Sequence, residues 1–132
     1  MSRIKSKGTK VEIILGKAMW RLGLRYRKHY PLPGKPDFVF IGSKVVVFCD
    51  GDFWHGRNFD EMVERGRFNN NPDYWIPKLT KTIERDRKNV TALESDGWYV
   101  VRLWESDILK SPYETAQEML KIINSRKVAK EL

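Results

Sequence analysis

Cysteine is almost missing from this chain: Cys49 stands alone among 132 residues. That excludes a disulfide framework, and a single thiol inside an apolar run points to a reducing compartment. Histidine is nearly as scarce, with His29 and His55 the two present. No apolar stretch approaches the length of a membrane span, and the N-terminus lacks the apolar core of a signal peptide, so no membrane partner is expected. Repeats and low-complexity tracts are lacking too. A length of 132 residues is too short for two domains but enough for one with a real core. We read 1–132 as a single domain, with a basic arm over 1–8 and a C-terminal tail over 126–132.

What is present fits a folded, nucleic-acid-directed protein. Hydrophobic residues make up 41% and aromatic residues 12%, as in globular domains. A net charge of +8 and a pI near 9.7 imply an anionic partner, with nucleic acid the first expectation. Arg3, Lys5, Lys7 and Lys10 give the arm its charge.

The most informative stretch runs from Pro36 to Asp50. Phe38–Ile41 and Lys44–Cys49 are β-rich and apolar, and the intervening Gly42-Ser43 suits a two-residue hairpin turn. A tight turn sets Ile41 opposite Lys44, Val39 opposite Val46 and Asp37 opposite Phe48. Asp50 then falls on the same sheet face as Asp37, about 7–8 Å away on the diagonal. Two carboxylates converging at the open end of a buried hairpin describe a Mg²⁺ site, and such sites serve phosphate chemistry. The ordinary alternative is a pair of solvated strand-end aspartates.

Around this hairpin the pattern alternates. Thr9-Lys10-Val11-Glu12 forms a capping box that opens a helix. Val11, Ile14, Leu15, Ala18, Met19 and Leu22 follow helical spacing, and Gly23 closes it. Leu24–Tyr30 reads as a first strand. Residues 51–72 show no sustained period, which in a compact domain marks a functional loop more often than an idle one. From Asp73 a second helix places Trp75, Leu79, Ile83, Val90 and Leu93 on one side and ends near Gly97. Trp98–Trp104 is a strand, and Ser111-Pro112-Tyr113-Glu114 opens a closing helix with Ala116, Met119, Leu120 and Ile123 inward. The order α-β-β-β-α-β-α makes an α/β domain with a mixed four-stranded sheet. Hairpin strands that are apolar on both faces require helices on both faces.

That order with an acidic hairpin is similar to the restriction-endonuclease-like core of the PD-(D/E)xK nucleases. Several segments, in order, resemble very short patch repair (Vsr-type) endonucleases. They are Ser6–Lys10, Trp20–Arg27, Leu32–Asp37, Asp50–Gly56, Tyr74–Leu79, Glu84–Arg87, and Gly97-Trp98 through Trp104-Glu105. The resemblance implies a Mg²⁺-dependent (or Mn²⁺-dependent) DNA endonuclease. Asp37 matches the family's metal-binding aspartate, Asp50 a position holding aspartate or histidine, His55 its catalytic histidine and Glu12 a glutamate near the site. Phe53 and Trp54 match aromatics that wedge into DNA, with Trp75 a third. The family's structural zinc is another matter. Its ligand positions hold Asp52, Arg57, Phe59 and Ser106 here, so no structural zinc is expected and the loop after Asp50 must be held by packing or salt links. The lysine of PD-(D/E)xK would fall at Gly51 or Asp52 and has no counterpart.

The residues fit these roles chemically. Asp37 and Asp50 supply oxygen ligands for the ion, and His55, five residues beyond Asp50, is placed to take a proton from water. Glu12 is explained equally well by its capping box, and His29, between Lys28 and Tyr30, carries no expected chemistry. Arg57, Lys7 and Lys78 would follow phosphates, which position a protein on DNA without reading its sequence. The expectation is a cytoplasmic, nucleoid-associated endonuclease acting on double-stranded DNA as a monomer or weak dimer, with other repair proteins as further partners. It would nick at a mismatch or short recognition sequence. A Vsr-like nuclease of a mobile element or defence system, without mismatch specificity, is the alternative. An inactive DNA-binding module is a second, opposed by the joint presence of Asp37, Asp50 and His55.

Overall fold

The computed structural model describes residues 10–51, 57, 59–64 and 72–131. Its elements are α1 (Lys10–Arg21), β1 (Phe38–Phe40), β2 (Val45–Asp50), α2 (Phe59–Glu64), α3 (Pro72–Ser95), β3 (Tyr99–Trp104), α4 (Glu105–Lys110) and α5 (Pro112–Glu131). The sheet order is β1-β2-β3, with β1 antiparallel and β3 parallel to β2. A parallel neighbour needs a crossover, and α3 supplies it.

Alternation along the strands divides the interior into two layers. Phe38, Phe40, Val45 and Val47 meet Val11, Leu15 and Met19 of α1, Ile108 of α4, and Ala116, Met119 and Ile123 of α5. Val39, Val46 and Phe48 meet Leu93 of α3 and Trp98 on the opposite face. Helices therefore cover both faces, as the doubly apolar strands require. Both long helices before a strand end in the same way. Gly23 (φ 89°) and Gly97 (φ 89°) adopt the left-handed conformation. Leu24 N–H bonds the Met19 carbonyl at 3.0 Å and Trp98 N–H the Leu93 carbonyl at 3.0 Å, the longer bond of a Schellman motif.

The hairpin register is the expected one: Phe38↔Val47, Val39↔Val46 and Phe40↔Val45. Its turn is not built on the glycine. Lys44 takes the left-handed conformation (φ 56°), and its N–H bonds the Ile41 carbonyl at 3.2 Å. The Lys44 Nζ reaches the Asp96 carbonyl at 2.7 Å and lies 5.0 Å from the Trp98 ring centroid, so long-range contacts anchor the strained residue.

Three further expectations are corrected. Among the described residues the sheet has three strands, not four. Leu24–Tyr30 contributes a single antiparallel bridge, Arg27↔Val39, held by reciprocal 2.9 Å bonds. His29 (φ 57°) then turns the chain out of extended geometry, and Pro31 brings no N–H to a ladder. Second, the segment read as structureless over 51–72 contains α2, and α4 adds an unanticipated turn of helix after β3. Third, residue 126 belongs to the fold: the Arg126 Nε donates to the Ser43 carbonyl at 2.8 Å, and its guanidinium lies 5.3 Å from the Tyr99 ring centroid.

Candidate active site

Pro36 is fully buried and delivers Asp37 to the edge of the hairpin, where the Asp37 N–H bonds the Val47 carbonyl at 2.9 Å. The Asp37 carboxylate turns back along β2 and accepts the Cys49 backbone N–H at 2.7 Å. From the layer above comes Glu12, in the first turn of α1 and only 5% exposed. Its carboxylate is not confined to capping its own helix. It faces Asp37 and accepts the Lys28 Nζ at 2.6 Å. Lys28 also lies 4.2 Å from the Phe38 ring centroid, with its backbone fixed by the adjacent Arg27↔Val39 bridge.

A buried carboxylate, Glu12, and a half-buried one, Asp37, face each other beside the Lys28 ammonium. Burial raises the Asp37 carboxyl from its ordinary value to about 7. The Cys49 N–H bond and Lys28 pull it down, and the neighbouring Glu12 pushes it up. Such a site favours a proton or a cation. Burial also pushes the Cys49 thiol up, with Asp37, Glu12 and Asp50 adding to it. Cys49 therefore stays protonated and has no nucleophilic role.

Asp50 closes β2 and pairs with a guanidinium. Its two oxygens accept the Arg102 Nε and Nη2, each at 2.7 Å. The same guanidinium reaches Asp86 of α3 at 3.5 Å and stacks 4.2 Å from the Phe48 ring centroid. Arg102 Nη1 is buried with no hydrogen-bond partner among the described residues. The two aspartates expected to converge on one ion show these partners among the described residues. Asp37 meets Glu12 and Lys28, and Asp50 is held in a fork by Arg102.

After Gly51, Arg57 is fastened to the far end of β3. Its Nη1 donates to Ser106 Oγ at 3.0 Å and pairs with Asp107 at 3.2 Å, and its guanidinium lies 5.3 Å from the Trp104 ring centroid. Arg57 and Ser106 are two of the positions matched to zinc ligands above, and here they bond each other. Trp75 is half-buried in the first turns of α3, beside Tyr74 at 4.8 Å between ring centroids. Lys78 is exposed, as are Lys81, Arg85 and Lys88 on the same helix. Lys7, Phe53, Trp54 and His55 lie outside the described residues.

A metal-dependent nuclease needs hard oxygen ligands, and a Mg²⁺ ion is usually held by one or two carboxylates with waters and substrate phosphate. The Glu12–Asp37 pair fits that donor set. No group of three or more His, Cys, Asp or Glu side chains suited to a metal occurs among the described residues. Sequence reading missed Lys28, Arg102 and Asp86. Lys28 stood next to His29 in an apparently outer strand. The signal was a lysine two residues beyond an aromatic that packs inward, its partner Glu12 being sixteen residues away.

Comparison with known proteins settles the lineage. Residues 1–61 match the family model described as DNA mismatch endonuclease Vsr. The Haemophilus parainfluenzae "Type II nicking enzyme V.HpaIIP" is 42% identical over 123 residues, covering 92% of this chain and 86% of that protein. This chain belongs to the Vsr endonuclease family. "Type II nicking enzyme V.NmeDIP" of Neisseria meningitidis serogroup C is 41% identical over 127 residues, 96% of this chain and 84% of the relative. The Escherichia coli K12 "DNA mismatch endonuclease Vsr" is 34% identical over 109 residues, 80% of this chain and 66% of its own. The chain is a DNA endonuclease, and its mixed sheet between helices is the restriction-endonuclease-like architecture that the Vsr family implies. No helix among its described residues is long and apolar enough to cross a membrane.

Proposed function

We propose that this Vsr-family chain is a Mg²⁺-dependent endonuclease that nicks one strand of double-stranded DNA at a mismatch or short recognition sequence. The observation that carries the metal reading is the facing Glu12–Asp37 carboxylate pair beside β2, with the Asp37 carboxyl raised to about 7 by burial and by its neighbour Glu12. Nicking is supported by relatives named as nicking enzymes that align over 92% and 96% of the chain.

Asp37 and Glu12 would hold the cation, with Glu12 taking the second-carboxylate place that the sequence assigns to Asp50. Once bound, Mg²⁺ supplies a positive centre that polarises the phosphate and offsets charge in the transition state. Asp50 acts through Arg102: the fork fixes the end of β2, and with it the Cys49 N–H that aims the Asp37 carboxylate. His55 is the base that takes a proton from the attacking water. Arg57, bound to Ser106 and Asp107, does the fastening that zinc would do elsewhere in the family, and no structural zinc is required. The exposed cations of α3, Lys78 among them, and Lys7 of the arm follow phosphates. Phe53, Trp54 and Trp75 brace the opened base stack.

The test is to incubate the chain with supercoiled plasmid and with matched and mismatched duplexes, in Mg²⁺ or EDTA. Open-circle plasmid or one-strand cleavage in Mg²⁺ alone supports the reading. Equal cutting in EDTA removes the metal from it, and equal cutting of matched and mismatched duplexes removes the mismatch.

A further inference from the structure

The proposed metal pair already has a cation beside it. Lys28 Nζ lies 2.6 Å from Glu12 Oε1, and Glu12 is 5% exposed. That ammonium is positioned by the fold. Arg27, one residue earlier, is clamped to Val39 in both directions at 2.9 Å. The Phe38 ring lies 4.2 Å beneath the Nζ, a cation–π contact that steadies the charge close to the carboxylates. The lysine side chain is itself 28% exposed, so the ammonium has a route to solvent.

We infer that Lys28 is the resident counter-ion of the cation-free site: it competes with the divalent ion for Glu12 and Asp37, and on displacement passes its ammonium to a substrate phosphate. This rests on the Glu12–Asp37 reading above. A Mg²⁺ ion would sit about 2.0–2.1 Å from the carboxylate oxygens. An ammonium 2.6 Å from one of them and a dication at that distance would face each other across a few ångströms with like charge. One must leave, and a lysine on a flexible four-carbon stem is the group able to move. A phosphate oxygen brought by DNA is the nearest chemistry that would receive it. Lys28 thereby supplies, from before β1, an ammonium in place of the PD-(D/E)xK lysine, whose position matches Gly51 or Asp52 in this sequence.

The arrangement couples two ligands. Metal binding must break the Lys28–Glu12 pair, whereas a phosphate offers Lys28 another partner. DNA and divalent ion should therefore tighten each other's binding, by the same factor in each direction.

Calorimetric titration of the full chain with Mn²⁺ tests this, with and without a duplex whose scissile linkage is a non-hydrolysable phosphate analogue. The chains compared are the unaltered protein, Lys28→Met, Lys28→Arg and Asp37→Asn. The expected result is that Lys28→Met binds Mn²⁺ about tenfold more tightly than the unaltered chain without DNA, since a competing charge has gone. The tightening on adding the duplex should shrink in Lys28→Met and persist in Lys28→Arg. Lys28→Met should also turn over more slowly at saturating metal, and circular dichroism should show its fold intact. Unchanged or weaker Mn²⁺ binding by folded Lys28→Met, with Asp37→Asn still abolishing it, overturns the role of Lys28 and leaves the metal site standing. Mn²⁺ binding that Asp37→Asn does not affect overturns the metal site itself.

Discussion

Two aspartates on one hairpin have been given opposite electrostatic settings. Asp50 receives a bidentate guanidinium at 2.7 Å on both oxygens, with Asp86 adding a second carboxylate to Arg102 at 3.5 Å. Asp37 accepts the Cys49 backbone N–H at 2.7 Å, lies near Lys28 beside Glu12, and has its carboxyl raised to about 7, chiefly by burial. The first is a satisfied ion pair that ties β2 to β3 and α3. The second faces another carboxylate in a half-buried place, where its carboxyl is raised to about 7. Residue type and strand position alone do not report these partners, because each counter-ion comes from another element.

The contrast breaks most sharply at Asp37. Asp37→Ala should lower cleavage on the order of 10³-fold or more, the loss of an ion that stabilises transition-state charge by several kcal/mol. DNA affinity should be retained, which gel-shift titration beside the cleavage assay will check.

Asp50→Ala tests the other side. Removing Asp50 leaves Arg102 with only the longer contact to Asp86 among its described carboxylates and should cost about 3 kcal/mol of folding stability. Replacing both partners with apolar residues, Asp50→Leu with Arg102→Met, should restore much of that loss. Denaturant titration of the three chains reads the difference, and stability of Asp50→Ala equal to that of the unaltered chain would deny the structural role of the fork.

Trp54→Ala should weaken DNA binding by roughly tenfold to a hundredfold, because stacking on a base contributes about 1–3 kcal/mol. Its melting temperature should hardly change. A tryptophan buried in a core would instead cost about 3–5 kcal/mol of stability.

A pH dependence is also expected. The Asp37 pKa is higher in the folded chain, about 7 against an ordinary 3.8, so between those values the folded state holds more protons than the unfolded one. Its contribution to stability is full below the lower value and falls as pH rises through the upper one. Metal-free protein should lose stability across that window, and Mn²⁺ affinity should rise across it. Asp37→Asn should flatten both profiles.

Much of this was readable from the chain. The pairing of Val39 with Val46 followed from turn length and strand alternation, and both glycine-terminated helices from Gly23 and Gly97. Asp37 stood out because a proline and an apolar strand flank it. Leu24–Tyr30 misled because its composition allows a strand, while the left-handed backbone at His29 and the proline at 31 decide otherwise. The Glu12–Lys28 pair spans sixteen positions and the Asp50–Arg102 pair fifty-two. No local period reports such partners. They follow from the packing of α1 over the hairpin and of β3 beside β2, so the chemical difference between the two aspartates becomes visible only once the layers are assembled.

The most direct measurement is the number of Mn²⁺ ions bound by Asp37→Asn and by Asp50→Asn, read by electron paramagnetic resonance on the folded chains. The expected result is no tight ion in Asp37→Asn and a full complement in Asp50→Asn, even where the latter melts at a lower temperature. Full occupancy in Asp37→Asn with loss in Asp50→Asn would place the cation on the other network and contradict the assignment of Glu12 and Asp37.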